Sequence, residues 1–217
     1  MKVKTHKFII NKSIDKLDIE LFKKHRKYLL KGARKADYSL AHLSFGTFTH
    51  YYNPDKQRGW ILLRNAKGQS SRFFEKAVSS YKQGKTKKSM IQLGIALHLI
   101  ADAATPSHSK VKAHFPFLVK DSFEGFINKN LIIAELCLEN IKINVKNSIE
   151  DYFDELSRLS AEYRLKRIGL LAFVLGIFRK KIKREELVNQ TKELVPLSIS
   201  STMGAIQIFY NRINSKN

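Results

Sequence analysis

The chain has 217 residues, 43% hydrophobic and 27% charged, a globular composition long enough for a real core. Forty Lys and Arg against 19 Asp and Glu give a formal charge of +21, which favours an anionic partner: nucleic acid, an anionic membrane surface or a phosphorylated substrate. The single cysteine, Cys137, excludes a disulfide framework and a cysteine-based zinc site, and no apolar run approaches the roughly 20 residues that span a bilayer.

The start, MKVKTHKFIINKSIDKLD, is basic but has no adequate apolar h-region and no small-residue cleavage site, so no secretory signal is read in it. Thr5 is placed to cap a first helix with His6, Ile10, Ile14 and Leu17 on one face. A second helix is expected over about 18–30, stopping near Gly32. Residues 33–67 look irregular, punctuated by Gly46, Gly59 and Asn53-Pro54; a loop of that length is usually functional. Helices follow over about 69–83 and 86–104, the second ended by Pro106. A loop with His108, His114 and Pro116 leads to a long helix over about 117–147. Helices over about 149–160, 162–181 and 184–213 close the chain, with a kink expected at Pro196. There is no repeat, no low-complexity linker and no break in composition. The expected architecture is all-α, a single-domain multi-helix bundle over residues 1–217.

Two stretches concentrate the charge. Lys23, Lys24, Arg26, Lys27, Lys31, Arg34 and Lys35 have no acid among them. Residues 164–184 hold eight cations and no acid around the apolar run IGLLAFVLGIF, residues 168–178. That run suits either a buried helix or an interfacial one. A solvated surface explains lysines as such; clusters this free of acids suit docking on an anionic surface.

The most informative stretch is GIALHLIADAATPSH, residues 94–108. His98 and Asp102 are four apart and share a helix face with Ile91 and Ile95, the core face. An imidazole and a carboxylate are costly there unless something satisfies them, and a metal ion does. His108 lies just past Pro106, where the chain can fold back to the same place. Glu124 stands at the head of an apolar stripe of Ile127, Leu131, Ala134 and Leu138. His6 is on the core face of the first helix, and Asp37 and His50 lie in the irregular 33–67 segment. Each alone is explained by a satisfied core side chain. Together they form a nitrogen and oxygen donor set that suits zinc without thiolates.

These motifs, in this order, make the sequence resemble the bacterial zinc-dependent phospholipase C family over nearly its whole length. The opening THKFIINKSID, then GARKADY, then TFTHYYNPD each resemble a family segment. The pattern Gly-x-x-x-His-x-x-x-Asp-x-x-x-Pro-x-His is complete in Gly94, His98, Asp102, Pro106 and His108. Phe123-Glu124 is similar to the family's aromatic-Glu pair, and LVPLSISSTMGAIQIFYNRI to its final helix.

The resemblance implies one to three zinc ions. Asp37, His50, His98 and Asp102 would hold one; Asp102 would bridge to a second that also takes His6; His108 and Glu124 would hold a third. Asp37 would also orient or deprotonate the attacking water, and Tyr38 would line the head-group pocket. The implied activity is phospholipase C, a phosphodiester hydrolase cutting a phospholipid on the glycerol side of its phosphate. Two departures stand out. Lys120 occupies the place of a family His four residues before the Glu, so either His114 or the Lys120 ammonium completes that part of the site. The family's N-terminal Trp has no counterpart, so the second ion depends on whether the Met1 terminus reaches it. Two other readings compete: a related zinc nuclease on single-stranded nucleic acid, and a non-catalytic member with a partly decayed metal site. The expected location is cytoplasmic or peripheral to the membrane if the chain is complete; the alternative is extracellular, as is common in the family.

Overall fold

The computed structural model describes residues 1–42, 50–59, 65–110, 122–139, 141–143, 145–163 and 183–215, and of 37–42 and 122 the backbone. Trp60, His114, Lys120 and residues 164–182, most of the expected 162–181 helix, lie outside the described residues. The fold is all-α. Among the described residues the helices are α1 (Val3–Leu17), α2 (Glu20–His42), α3 (Ala66–Lys82), α4 (Thr86–Ala103), α5 (Pro106–Ser109), α6 (Ser122–Lys129), α7 (Leu131–Leu136), α8 (Ile149–Glu162) and α9 (Arg184–Asn214). Among the described residues the one β-type contact is an isolated bridge between Asn53 and Arg58.

The helix α4 is the centre. Residues 93–103 are buried without interruption, the pattern of a helix covered on every side. Helices α2 and α3 flank it, and α8, α9 and α1 also pack on it. The two candidate ligands on it, His98 and Asp102, are therefore held in the middle of the molecule by a rigid element.

The second helix runs ten residues past Gly32, and the reason is packing. A Cβ on Gly32 would sit 2.1 Å from the carbonyl oxygen of Ile91, and one on Gly94 would sit 2.1 Å from that of Leu29. The two glycines let the backbones of α2 and α4 meet. Gly32 thus serves a close approach, not a helix end.

The expected 117–147 helix is also corrected. It breaks at Asn130, whose side-chain amide donates to the Phe126 carbonyl at 2.7 Å and whose backbone N–H is shared between Phe126 and Ile127. An Asn side chain competing for backbone carbonyls is a common way for a helix to stop. After Leu136 the described chain is non-helical up to α8, which opens with a capping box between Ser148 and Asp151. Thr5 lies inside α1 instead of capping it; the helix starts at Val3, with Lys2 at its N-cap position. Pro196 is accommodated within the continuous α9.

Gly94→Ala should destabilise the protein by about 1–3 kcal/mol, because the new methyl has no room against α2. Gly125→Ala, whose added Cβ meets nothing within 4 Å, should be neutral or slightly stabilising. Urea unfolding midpoints compare them; a Gly94→Ala protein as stable as the parent would contradict the close approach.

Candidate metal centre

The end of α4 explains how the site assembles. Ala104 and Thr105 turn the chain, with the Thr105 N–H on the Asp102 carbonyl at 2.9 Å. Pro106 then opens α5, where its missing N–H costs nothing. Ser109 and Ser160 both donate to the Ala103 carbonyl, at 2.9 and 2.7 Å. This compact corner returns His108 to within 3.7 Å of the Asp102 carboxylate.

Asp102, 1% exposed, is the hub. His6 Nε2 lies 3.1 Å from its Oδ1; His50 Nδ1 and His98 Nε2 lie 3.0 and 3.2 Å from its Oδ2. The Met1 ammonium pairs with Oδ1 as well, and with Glu124 Oε1 at 3.0 Å. His108 Nε2 reaches the same Glu124 oxygen at 3.1 Å. His6 and His98 stack with ring centroids 3.7 Å apart.

Hydrogen-bond chemistry assigns two protons. A carbonyl only accepts, so in the metal-free protein His108 Nδ1 donates to the His50 carbonyl at 3.1 Å and His6 Nε2 to the Met1 carbonyl at 3.1 Å; ligation of a metal through His6 Nε2 would require that proton to leave. His6 Nδ1 is buried with no hydrogen-bond partner among the described residues.

Two overlapping triplets, His6–His98–Asp102 and His50–Asp102–His108, each keep one donor atom per residue within 4.8 Å of the others. Ligands about 2.0–2.1 Å from a tetrahedral zinc stand roughly 3.3 Å apart. His50 Nδ1 and His98 Nε2, at 3.0 and 3.2 Å from the same Asp102 oxygen, lie close to that figure. Four buried imidazoles around one carboxylate, all nitrogen and oxygen donors, fit zinc.

The family model described as "Zinc dependent phospholipase C" matches residues 5–154. The chain belongs to the zinc-dependent phospholipase C family. A protein called phospholipase C from Listeria monocytogenes is 24% identical over 147 residues, 60% of this chain and 51% of that protein. Two clostridial toxin structures share the fold. The alpha toxin of Clostridium absonum superposes with a TM-score of 0.71 at 15% identity, and that of Clostridium perfringens, from an avian strain, with 0.67 at 18%. Each comparison covers 98% of this chain but only 65% and 64% of the toxin chains. The chain thus spans about half the length of the Listeria relative and just under two thirds of the toxins.

The structure brings together His6, His50, His98, Asp102, His108 and Glu124. His50 and His98 face one Asp102 oxygen, Oδ2, while His6 and the Met1 ammonium face the other, Oδ1. Asp37 and Tyr38 stand on the last turns of α2, and their side chains lie outside the described residues. The Met1 terminus reaches the cluster, although the sequence offers no aromatic residue there. Tyr51 stacks on His108, ring centroids 5.1 Å apart.

Burial and charge act against one another throughout the cluster. Burial opposes the charge on Met1, but Asp102 and Glu124 outweigh it and push the ammonium from 8.0 up to about 11. Burial would raise Asp102; the Met1 ammonium and then His108, His98 and His6 hold it well below the carboxylate range. Glu124 is also held far down against its burial, by the Met1 ammonium and His108. His108 is raised, because Asp102 outweighs its burial, whereas burial lowers His6.

These shifts set the pH dependence of the metal-free protein. The ammonium is raised by folding, so its contribution is complete below about pH 8 and is lost as pH climbs towards 11. The carboxylates are depressed, so theirs is complete above the ordinary carboxylate range, about pH 4–5, and is lost as pH falls. Melting temperatures of chelator-treated protein should peak between about pH 5 and 8 and fall on both sides. A melting temperature that rises steadily from pH 8 to about 10.5 would contradict the buried ammonium pair.

Proposed function

We propose that this chain is a phosphoric diester hydrolase of the phospholipase C type, cleaving a phospholipid between glycerol and phosphate. The observation that carries the proposal is the convergence of four imidazoles and two carboxylates on one buried point in a chain of this family. Residues 1–217 are taken as one domain, supported by a buried apolar cluster that draws on helices from α1 to α9.

The proposed ligands are His6, Asp37, His50, His98, Asp102, His108 and Glu124. Zinc held by these residues would supply Lewis acidity towards a water molecule and the phosphate oxygens. The chain supplies the rest. Asp102 offsets the positive charge from the centre of the cluster. The His50 carbonyl keeps the His108 Nδ1 proton, which turns Nε2 towards Glu124. Asp37 is assigned the role of holding or accepting the proton of the attacking water, and Tyr38 that of lining the head-group pocket.

A bilayer is the proposed place of action. Lys35, Lys85, Lys87 and Lys88 line one groove of about 580 Å³ with no acid in its wall. Ile132, Leu136 and Val145 are 71, 74 and 77% exposed, near the exposed Lys129 and Lys142. The described residues contain no helix long and apolar enough to cross a membrane. Peripheral, charge-assisted contact fits these features. Each basic residue near an anionic surface contributes roughly 1 kcal/mol.

Zinc content followed by turnover on a phospholipid and on single-stranded DNA tests the reading. The parent should retain zinc and hydrolyse the lipid. Asp37→Asn should lower turnover by at least about a hundredfold, and His98→Ala should lose both metal and activity. A folded parent without zinc would sink the proposal; DNA cleavage without lipid cleavage would move the chain to the nuclease reading. On vesicles, Lys180, Lys181 and Lys183 changed together to Gln should weaken binding to anionic lipid roughly a hundredfold at low salt, and equal binding to neutral and anionic vesicles would contradict electrostatic docking.

A further inference from the structure

We propose that Asp154, on α8, is a positioning residue for the metal centre, acting through Tyr52 on His50 and His108. The inference rests on the ligand reading above and extends it to a group outside the cluster.

Tyr51 and Tyr52 follow His50 directly and make different contacts. Tyr51 stacks on the His108 ring. Tyr52, 3% exposed, packs edge-on against Phe153 at 6.0 Å and donates its hydroxyl to Asp154 Oδ1 at 2.7 Å. The other Asp154 oxygen takes Lys67 Nζ at 2.6 Å, and that ammonium also lies over the Tyr52 ring, 5.4 Å from its centroid. One carboxylate therefore ties the His50 segment to α8 and to the first turn of α3.

The same segment carries the orientation of two proposed ligands. The Tyr52 N–H donates to the His108 carbonyl at 3.2 Å, while His108 Nδ1 donates to the His50 carbonyl at 3.1 Å. The Ala66 N–H holds the Tyr51 carbonyl at 3.2 Å. Moving Tyr52 therefore moves the backbone that fixes the His108 ring and carries His50. Groups that orient metal ligands from outside change affinity about tenfold to a hundredfold when removed. The Tyr52 hydroxyl and Asp154 touch none of the cluster donors in the contacts above, so their effect must travel along this path.

The test uses the purified full chain, stripped of metal and reloaded. Zinc affinity is read by competition with a chromophoric chelator, and ligand geometry by the visible spectrum of the cobalt-loaded protein. Tyr52→Phe and Asp154→Ala should each weaken zinc binding about tenfold or more and change the cobalt spectrum. The double variant should be no weaker than the weaker single. Asp154→Asn, which keeps an acceptor for the Tyr52 hydroxyl, should recover most of the affinity. Should Asp154→Ala fail to fold, Tyr52→Phe carries the test, since it removes a single oxygen. Unchanged affinity and spectrum in Tyr52→Phe, whatever happens to its melting temperature, would overturn the proposal. A parent that binds neither metal would instead overturn the ligand reading itself, and this inference with it.

Discussion

A carboxylate at 1% exposure in the middle of an all-helical core is the constraint on which this molecule turns. Asp102 cannot remain ionised there without nearby positive charge or donors, because desolvation alone would cost several kcal/mol. The chain answers with two segments besides α4 and its following corner. The start of the chain brings Met1 and His6, and the segment before Tyr51 brings His50, while Glu124 of α6 shares the Met1 ammonium. The pKa directions are the record of that arrangement: acids pushed down, the terminal amine pushed up. The imidazoles and carboxylates among these groups are the proposed zinc ligands, so the proposed metal centre coincides with the electrostatic centre of the fold.

The packing of α4 makes the arrangement rigid. Gly32 and Gly94 let α2 lie against it backbone to backbone, which removes the freedom that larger side chains would leave. The corner at Ala103–Ser109 is then fixed by two serines on one carbonyl. Such supports hold His98, Asp102 and His108 in place, as the proposed electrostatic stabilisation of a phosphoryl centre requires.

Much of this was legible in the sequence. His98 and Asp102 stand out because their four-residue spacing puts two polar groups on an apolar helix face. Pro106 marks the corner that returns His108, and Glu124 stands out at the head of its stripe. Less visible was anything set by contacts between distant segments. Gly32 reads as a helix stop in one dimension, and only the opposing Gly94 reveals it as a packing position. The 117–147 periodicity spans a real buried stripe through Ile127, Ala134 and Leu138, but Asn130 breaks the helix inside it. The Met1 terminus has no side-chain signature, because its donor is a backbone amine. Asp154 likewise looks like any charge on an amphipathic helix until Tyr52 and Lys67 are seen on its two oxygens.

The central claim is that Asp102 is the shared ligand of a zinc centre. Crystals of the zinc-loaded protein, measured on both sides of the zinc absorption edge, address it most directly. The account predicts at least one anomalous peak about 2.0–2.2 Å from an Asp102 carboxylate oxygen, with His98 in the same coordination shell. A map from saturated protein in which Asp102 keeps only the Met1 ammonium and its imidazole neighbours, with no zinc peak in the cluster, would contradict it.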